Sequence, residues 1–298
     1  MKKFIIVTDT CSDLSKEQRA RYSIEYVPMH YTYDDKDFVA DLDWNHSTPR
    51  EFYDIMRGGK RVITSQVNTT QYLEVFEGYI KGGYDILSIS CSSALSASVN
   101  ASYAAREELL AKYPDAKIIC IDALNSCAGL GILCIKAAML RDEGKSIDEV
   151  AAWVEDNRRY INQEASVDKL VYLKRAGRVS AASAFFGGLL NIKPIIISDA
   201  KGRNVAVEKV KGRAVAMNRL VERFSAGYIP SDMPIIVSHA DAPEEAEELR
   251  KMVIAALPED SKAEVITGYI GPIVGASVGP ATLGIFYHGK EVTFSAEE

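Results

Sequence analysis

Asp85-Ile86-Leu87-Ser88-Ile89-Ser90-Cys91-Ser92-Ser93-Ala94-Leu95-Ser96-Ala97-Ser98 is the stretch from which the fold can be read. Residues 86–90 are continuous in apolar and small side chains, the pattern of a parallel strand buried on both faces. A run of hydroxyl residues follows, and then a helix-like segment. The same order recurs where 117–121 leads to Ala123-Leu124-Asn125-Ser126, and in shorter form where Arg61-Val62-Ile63 leads to Thr64-Ser65-Gln66. Two further strand-like segments, 4–8 and 26–33, alternate with helices whose starts are well marked. Ser15-Lys16-Glu17-Gln18, Thr48-Pro49-Arg50-Glu51 and Ser146-Ile147-Asp148-Glu149 each set a capping hydroxyl three residues ahead of an acid or amide. Such alternation predicts an α/β fold with a parallel, helix-flanked sheet. In these sheets ligands bind beyond the carboxyl ends of the strands, where the hydroxyl turns fall.

Near residue 163 the character changes. Strand-like and helix-like segments from 165 onward predict a second α/β domain with a mixed, more antiparallel sheet, and Gly289-Lys290 reads as a hairpin tip. The chain therefore divides into an N-terminal α/β domain over 1–163 and a C-terminal one over 164–298. The ligand is expected between them.

Hydroxyls and free backbone N–H groups at helix starts make a site for an anion. Thr64, Ser65, Ser92, Ser93, Ser96 and Ser126 are its candidate residues. No matching set of catalytic acids and bases accompanies them, so the chain reads as holding an anionic head group rather than breaking bonds. No metal centre or cofactor is called for: the four histidines (His30, His46, His239, His288) stand apart from one another, and no phosphate-cradling glycine loop occurs. Two enzymatic alternatives stay open. Gly275-Ala276-Ser277-Val278-Gly279 matches the nucleophile elbow of hydrolases, although a strand-like segment rather than a helix follows it and His288 precedes Glu291. Asp9, at the end of the first strand, could serve a phosphate-handling enzyme, or else cap the next helix or bind loop amides.

The 298 residues are 47% apolar and 26% charged, which describes a globular chain with a sizeable core. A net charge of −6 argues against general nucleic-acid binding, and no apolar run approaches a membrane span. The start, Met1-Lys2-Lys3-Phe4-Ile5-Ile6-Val7, reads as a buried strand rather than a leader, and the protein as cytoplasmic. The five cysteines form no Cys-x-x-Cys; Cys127 and Cys134 share a helical face and read as core, and Cys91 is the one to watch for reactivity. Charge is uneven. Segment 169–213 carries ten basic residues, Lys169 to Arg213, against only Asp199 and Glu208, so it is +8 in a chain whose remainder is −14. It is either a solvated face or a docking surface for an acidic or phosphate-handling partner.

Taken together, these segments resemble the DegV family of fatty-acid-binding proteins over the whole length. The motifs are Thr8-Asp9-Thr10-Cys11-Ser12-Asp13-Leu14, Thr64-Ser65-Gln66, Ser92-Ser93-Ala94-Leu95-Ser96, Tyr172-Leu173-Lys174-Arg175-Ala176-Gly177-Arg178-Val179-Ser180, Leu189-Leu190-Asn191-Ile192-Lys193-Pro194-Ile195 and Gly271-Pro272-Ile273-Val274-Gly275, in order. The resemblance implies one long-chain fatty acid in an interdomain tunnel, its carboxylate held by the Thr-Ser-Gln and Ser-Ser loops. It also implies the binding-subunit role of a two-part fatty acid kinase, in which a separate ATP-binding subunit makes the acyl phosphate; segment 169–213 would dock that partner. The family's glycine-rich motif usually reads Gly-x-His-x-Gly-Pro-Gly. Here Ser277 stands in the histidine's place, which removes a possible cation but leaves one hydrogen-bond donor, and Ser277 joins the candidate set. Val67-Asn68 and Ala97-Ser98 likewise replace the usual Pro-Ser and Gly-Thr. Residues 182–190 are the candidate apolar wall for the tail.

Overall fold

The computed structural model describes residues 3–180, 191–259 and 261–296. The candidate wall at 182–190 therefore lies outside the described residues. β1 (Phe4–Asp9), β2 (Ile24–Val27), β6 (Asp85–Ser90) and β7 (Ile118–Asp122) form a four-stranded, all-parallel sheet in the order β2-β1-β6-β7. Every residue of β1 and β6 is buried, as a strand covered on both faces requires. α1 (Lys16–Tyr22), α2 (Pro49–Arg57) and α6 (Ile147–Asn157) start at Ser15, Thr48 and Ser146, each with the reciprocal cap its sequence predicts. α3 (Thr69–Lys81) has a fourth such cap at Asn68.

The expected strand 26–33 is two strands. Pro28 and Met29 break it, and β3 (His30–Tyr33) leaves for a small antiparallel sheet with β4 (Lys36–Val39) and β5 (Ile63–Ser65). The second large sheet has seven strands, β13-β12-β14-β8-β10-β11-β9, and is mixed as expected. Its members are β8 (Ile161–Ser166), β9 (Val179–Ser180), β10 (Ile192–Ser198), β11 (Asn204–Lys211), β12 (Ile235–His239), β13 (Val265–Tyr269) and β14 (Leu283–His288). β8 pairs with β14 on one side and β10 on the other, so a boundary at 163/164 falls inside a central strand of this sheet. Gly289 is not a hairpin tip. It bridges Tyr228, and the chain then runs on without a strand, Val292 N–H bonding Arg159 O and Ala200 N–H bonding Phe294 O.

α5 (Cys127–Asp142) joins the two sheets. Its residues from Cys127 to Ala138 are all buried, because it packs on β1, β2 and β6 from one side and on β8 and β14 from the other. Cys127 and Cys134 belong to this core. Polar contacts also cross between the halves. Tyr53 O–H donates to Ile270 O at 2.6 Å, Arg57 pairs with Asp241 at 2.6 Å, and Lys136 pairs with Asp232 at 2.7 Å. The β10–β11 turn reaches the hydroxyl run itself. Gly202 has φ +75°, and a Cβ there would stand 2.2 Å from Ser92 Oγ and 2.8 Å from Leu124 Cα. Gly202→Ala is accordingly expected to destabilise the fold by about 1–3 kcal/mol, through both overlap and left-handed backbone strain. A denaturation midpoint equal to that of the parent would refute this contact's importance.

Candidate functional site

Three ends of the first sheet converge on one cavity. Asp9 closes β1, and its carboxylate accepts from Cys11 N–H at 2.9 Å and from Cys91 N–H, just after β6, at 2.8 Å. Asp122 closes β7 and accepts from Ser93 N–H at 3.2 Å and Leu124 N–H at 2.9 Å. The two carboxylates thus stitch the loops after β1, β6 and β7 together. Burial raises the Asp9 pKa to about 6, against the pull of the Cys91 and Cys11 N–H groups. Asp9 thus caps the 3₁₀ turn Thr10–Ser12 and also binds the loop amide of Cys91, both of the non-enzymatic roles open to it.

The cavity has a volume of about 620 Å³, within the range of small-molecule sites. Thr64, Ser65, Ser93, Ser96, Ser126 and Ser277 all line it, from four separate parts of the chain. Ser92 does not. Its hydroxyl accepts from Ala94 N–H at 3.2 Å while its N–H donates to Asn125 O, and Gly202 presses against it, so it shapes the turn instead. Thr64 and Ser65 also differ from expectation. They lie on β5, paired with Tyr31 and His30 of β3, and the helix that follows begins only at Thr69.

Two helix N-termini border the cavity. α4 (Ser98–Lys112) starts after Ala97 and α5 after Ser126, and neither has the side-chain cap found on α1, α2, α3 and α6. An uncapped helix start leaves N–H groups and the positive end of the dipole for another acceptor. Ser98, the first residue of α4, is occupied otherwise: its hydroxyl accepts from Val67 N–H at 3.1 Å and bonds Ser96 Oγ at 2.9 Å. Ser277 is carried by the short helix α10 (Pro272–Val278), which lies tightly against α2. A Cβ on Gly275 would stand 2.3 Å from the Tyr53 hydroxyl. The apolar lining includes Cys11, Met29, Leu95, Val179, Ile273, Val274 and Val278.

Arg178, Gly177 and Asn204 complete the lining from the second half of the chain. Sequence reasoning singled out none of them individually, because only the turn after α7 (Leu170–Ala176), through Gly177 in the left-handed region, and the register of β11 bring them here. The enzymatic readings find no partners. Among the described residues, neither His239, whose Nδ1 accepts from Ala242 N–H, nor His288, which faces Ile229 O, bonds Ser277. Cys91 is buried. The Cys11 thiol beside it draws its pKa down, but burial and the nearby Asp9 and Asp122 charges outweigh that and leave it raised, a thiol rather than a nucleophile. Among the described residues no cluster of three His, Cys, Asp or Glu could hold a metal, and no helix is long and apolar enough to cross a membrane.

A protein-family model described as "Uncharacterised protein, DegV family" matches residues 3–290. A DegV domain-containing protein of Clostridium perfringens is 38% identical over 290 residues, covering 97% of this chain and 98% of that one. Among solved structures, a DegV family protein from Thermus thermophilus, described by its fatty acid binding, is 27% identical with a TM-score of 0.87, covering 97% of this chain and all of its own. DegV from Bacillus subtilis, described as a fatty acid binding protein, is also 27% identical, with a TM-score of 0.81 over 97% and 100% of the two chains. With a matching model over nearly its full length and a close relative of equal span, this chain belongs to the DegV family.

Proposed function

We propose that the cavity binds one long-chain fatty acid, with the carboxylate at the hydroxyl end and the tail along the apolar lining between the two sheets. The observation that supports this most directly is the convergence of six hydroxyl residues and two uncapped helix starts on one cavity that also carries an apolar lining. Solved relatives described as fatty-acid-binding support the same ligand class. A buried carboxylate needs several donors to offset its desolvation, and Ser93, Ser96, Ser126, Thr64, Ser65 and Ser277 with the α5 amides can provide them. A sixteen-carbon tail contributes roughly 11 kcal/mol gross at about 0.8 kcal/mol per methylene. Association costs on the order of 4–15 kcal/mol, so a preformed cavity decides whether binding is tight.

In the same reading the chain is a binding protein rather than a catalyst. It presents the head group to a separate ATP-binding kinase subunit that forms the acyl phosphate, with the basic segment from Lys169 to Arg213 as the docking face. Part of that charge is already engaged in structure, as in Lys193 with Asp168 and Arg213 with Glu245, which leaves Lys169, Arg175 and Arg178 the better candidates for a partner.

Protein purified from cells should carry a fatty acid by native mass spectrometry, and delipidated protein should take up palmitate or oleate. Neither occurring would refute the reading. Ser93→Ala should weaken palmitate binding by about 1–3 kcal/mol, the usual cost of leaving a buried charge one donor short. An unchanged affinity would remove Ser93 from the head-group site.

A further inference from the structure

β13 is the outer strand of the seven-stranded sheet, and its ladder partner is β12 alone. In a parallel pair alternate residues of a strand bond the neighbour, and the residues between them turn their backbone groups the other way. Ile235 N–H donates to Glu264 O and Ile270 N–H to His239 O, both at 2.8 Å, so residues 264, 266, 268 and 270 face β12. Val265, Thr267 and Tyr269 therefore turn their N–H and C=O groups to the open edge. Val265 O receives the Arg250 guanidinium at 3.5 Å. The backbone groups of Thr267 and Tyr269 have no such partner among the described residues, and both residues are exposed. Nothing in the strand blunts this edge: residues 265–269 hold no proline and no charge, and their register with β12 runs without a bulge.

This edge lines one side of a cleft of about 590 Å³, and α1 lines the other. Leu42, Trp44 and Ile135 add apolar surface between them, and the cleft shares no residue with the hydroxyl-lined cavity. An unpaired strand edge beside an apolar trough accepts an extended peptide as a further strand, with main-chain bonds giving affinity and alternate side chains giving selectivity. Charge selects the peptide. The lining carries Asp13, Glu17, Asp43 and Glu264 against Lys16 and Arg21. Asp43 is paired with Arg19, and Arg21 lies over the Tyr22 ring at 5.0 Å. Glu17 on the α1 side and Glu264 on the β13 side make no ion pair among the described residues, and outside 169–213 the chain is −14. A second copy of this chain is a poor occupant, because its own β13 edge lies behind its own α1 and brings the same acids to the cleft. We propose that the cleft binds an extended segment of a partner protein, added to β13 beyond the seven strands of the sheet, with apolar side chains in the trough and basic ones alternating with them.

The probe is a fluorescein-labelled peptide, Lys-Val-Lys-Val-Lys-Val, titrated with the full chain and followed by anisotropy. It should bind saturably and slow amide exchange at Thr267 and Tyr269 by about tenfold or more. Affinity should fall by about tenfold or more for Glu-Val-Glu-Val-Glu-Val and for the Lys-Val peptide N-methylated at alternate amides, which keeps the charge but loses the strand donors. Thr267→Pro removes an outward N–H and leaves the bonds to β12, and it should weaken the Lys-Val peptide to a similar degree while palmitate affinity stays within about twofold of the parent's. Failure of the Lys-Val peptide to bind, binding that survives N-methylation, or exchange unchanged at 267 and 269 overturns the proposal. So does undiminished binding by a Thr267→Pro variant that is folded by circular dichroism; should that variant not fold, the N-methylated peptide on the parent decides. A dimer in sedimentation whose β13 edge amides are protected without peptide would give the cleft to a second copy and overturn the partner assignment.

Discussion

Ser126→Asp should abolish fatty acid binding while leaving the protein as stable as its parent or more so. Ser126 occupies the N-cap of α5 with extended backbone angles (φ −144°, ψ 178°), yet its side chain caps nothing and faces the cavity. Aspartate is among the best N-cap residues, and a side chain that closes the cap contributes roughly 0.5–2 kcal/mol to stability. The same carboxylate would take the amides intended for the ligand and set a like charge against the fatty acid head group. At about 4 Å and an effective dielectric near 20 two such charges repel by roughly 4 kcal/mol, so affinity should fall by about 100-fold or more. The opposite signs of the two effects make the result diagnostic. A variant that melts higher and still binds palmitate normally would show that the head group does not sit at the α5 start.

The second large effect is on stability against pH. Asp13 lies in the left-handed region at φ +51°, with both carboxylate oxygens sealed from water. The donors that face it are the Cys127 thiol and the Gly271 N–H, neither at good hydrogen-bond geometry. Burial outweighs them and raises its pKa to about 7. Asp9 at about 6, and Glu164 at about 7 despite its Arg223 partner, are raised by burial as well. A carboxyl whose folded pKa lies above its unfolded one binds more protons when folded, so its stabilising contribution is complete below about pH 4 and is lost as pH rises through the folded value. Stability should therefore fall between about pH 4 and pH 7. Asp13→Asn keeps the left-handed backbone tolerance and an acceptor for Gly271 but removes the titration. At pH 8 it should be more stable than the parent by on the order of 2–4 kcal/mol, and at pH 4 nearly equal. Urea midpoints at the two pH values measure this. An Asn variant that is weaker than the parent at pH 8, or one that keeps the parent's slope, would contradict the account.

Local signals made the first sheet legible. A strand such as Asp85–Ser90, buried on both faces, can accept almost no polar side chain that is not small, and a helix that opens on a capping box announces itself within four residues. The split of 26–33 into two strands was not legible, because Pro28 reads as a local break and only the partner strand decides which sheet each half joins. Ser92 and Ser93 show the limit at a single site. They are adjacent and chemically equal, yet one faces the cavity and the other meets the β10–β11 turn, since neighbouring residues in a turn point apart. Arg178, although it lies in a quoted motif, and Asn204 reach the cavity only through the second sheet's topology, which no local pattern announces.

By itself the order of residues determined that this protein is an α/β structure built on a parallel sheet and a mixed one, with hydroxyl-rich turns at the strand ends. Those properties follow from periodicity, capping and side-chain chemistry, all of which act over a few residues. Which hydroxyls share one cavity and which helix starts remain open were decided by the tertiary structure alone. They depend on α5 being sandwiched between the two large sheets and on α10 and α7 folding back across the gap, many of these contacts joining segments more than a hundred residues apart.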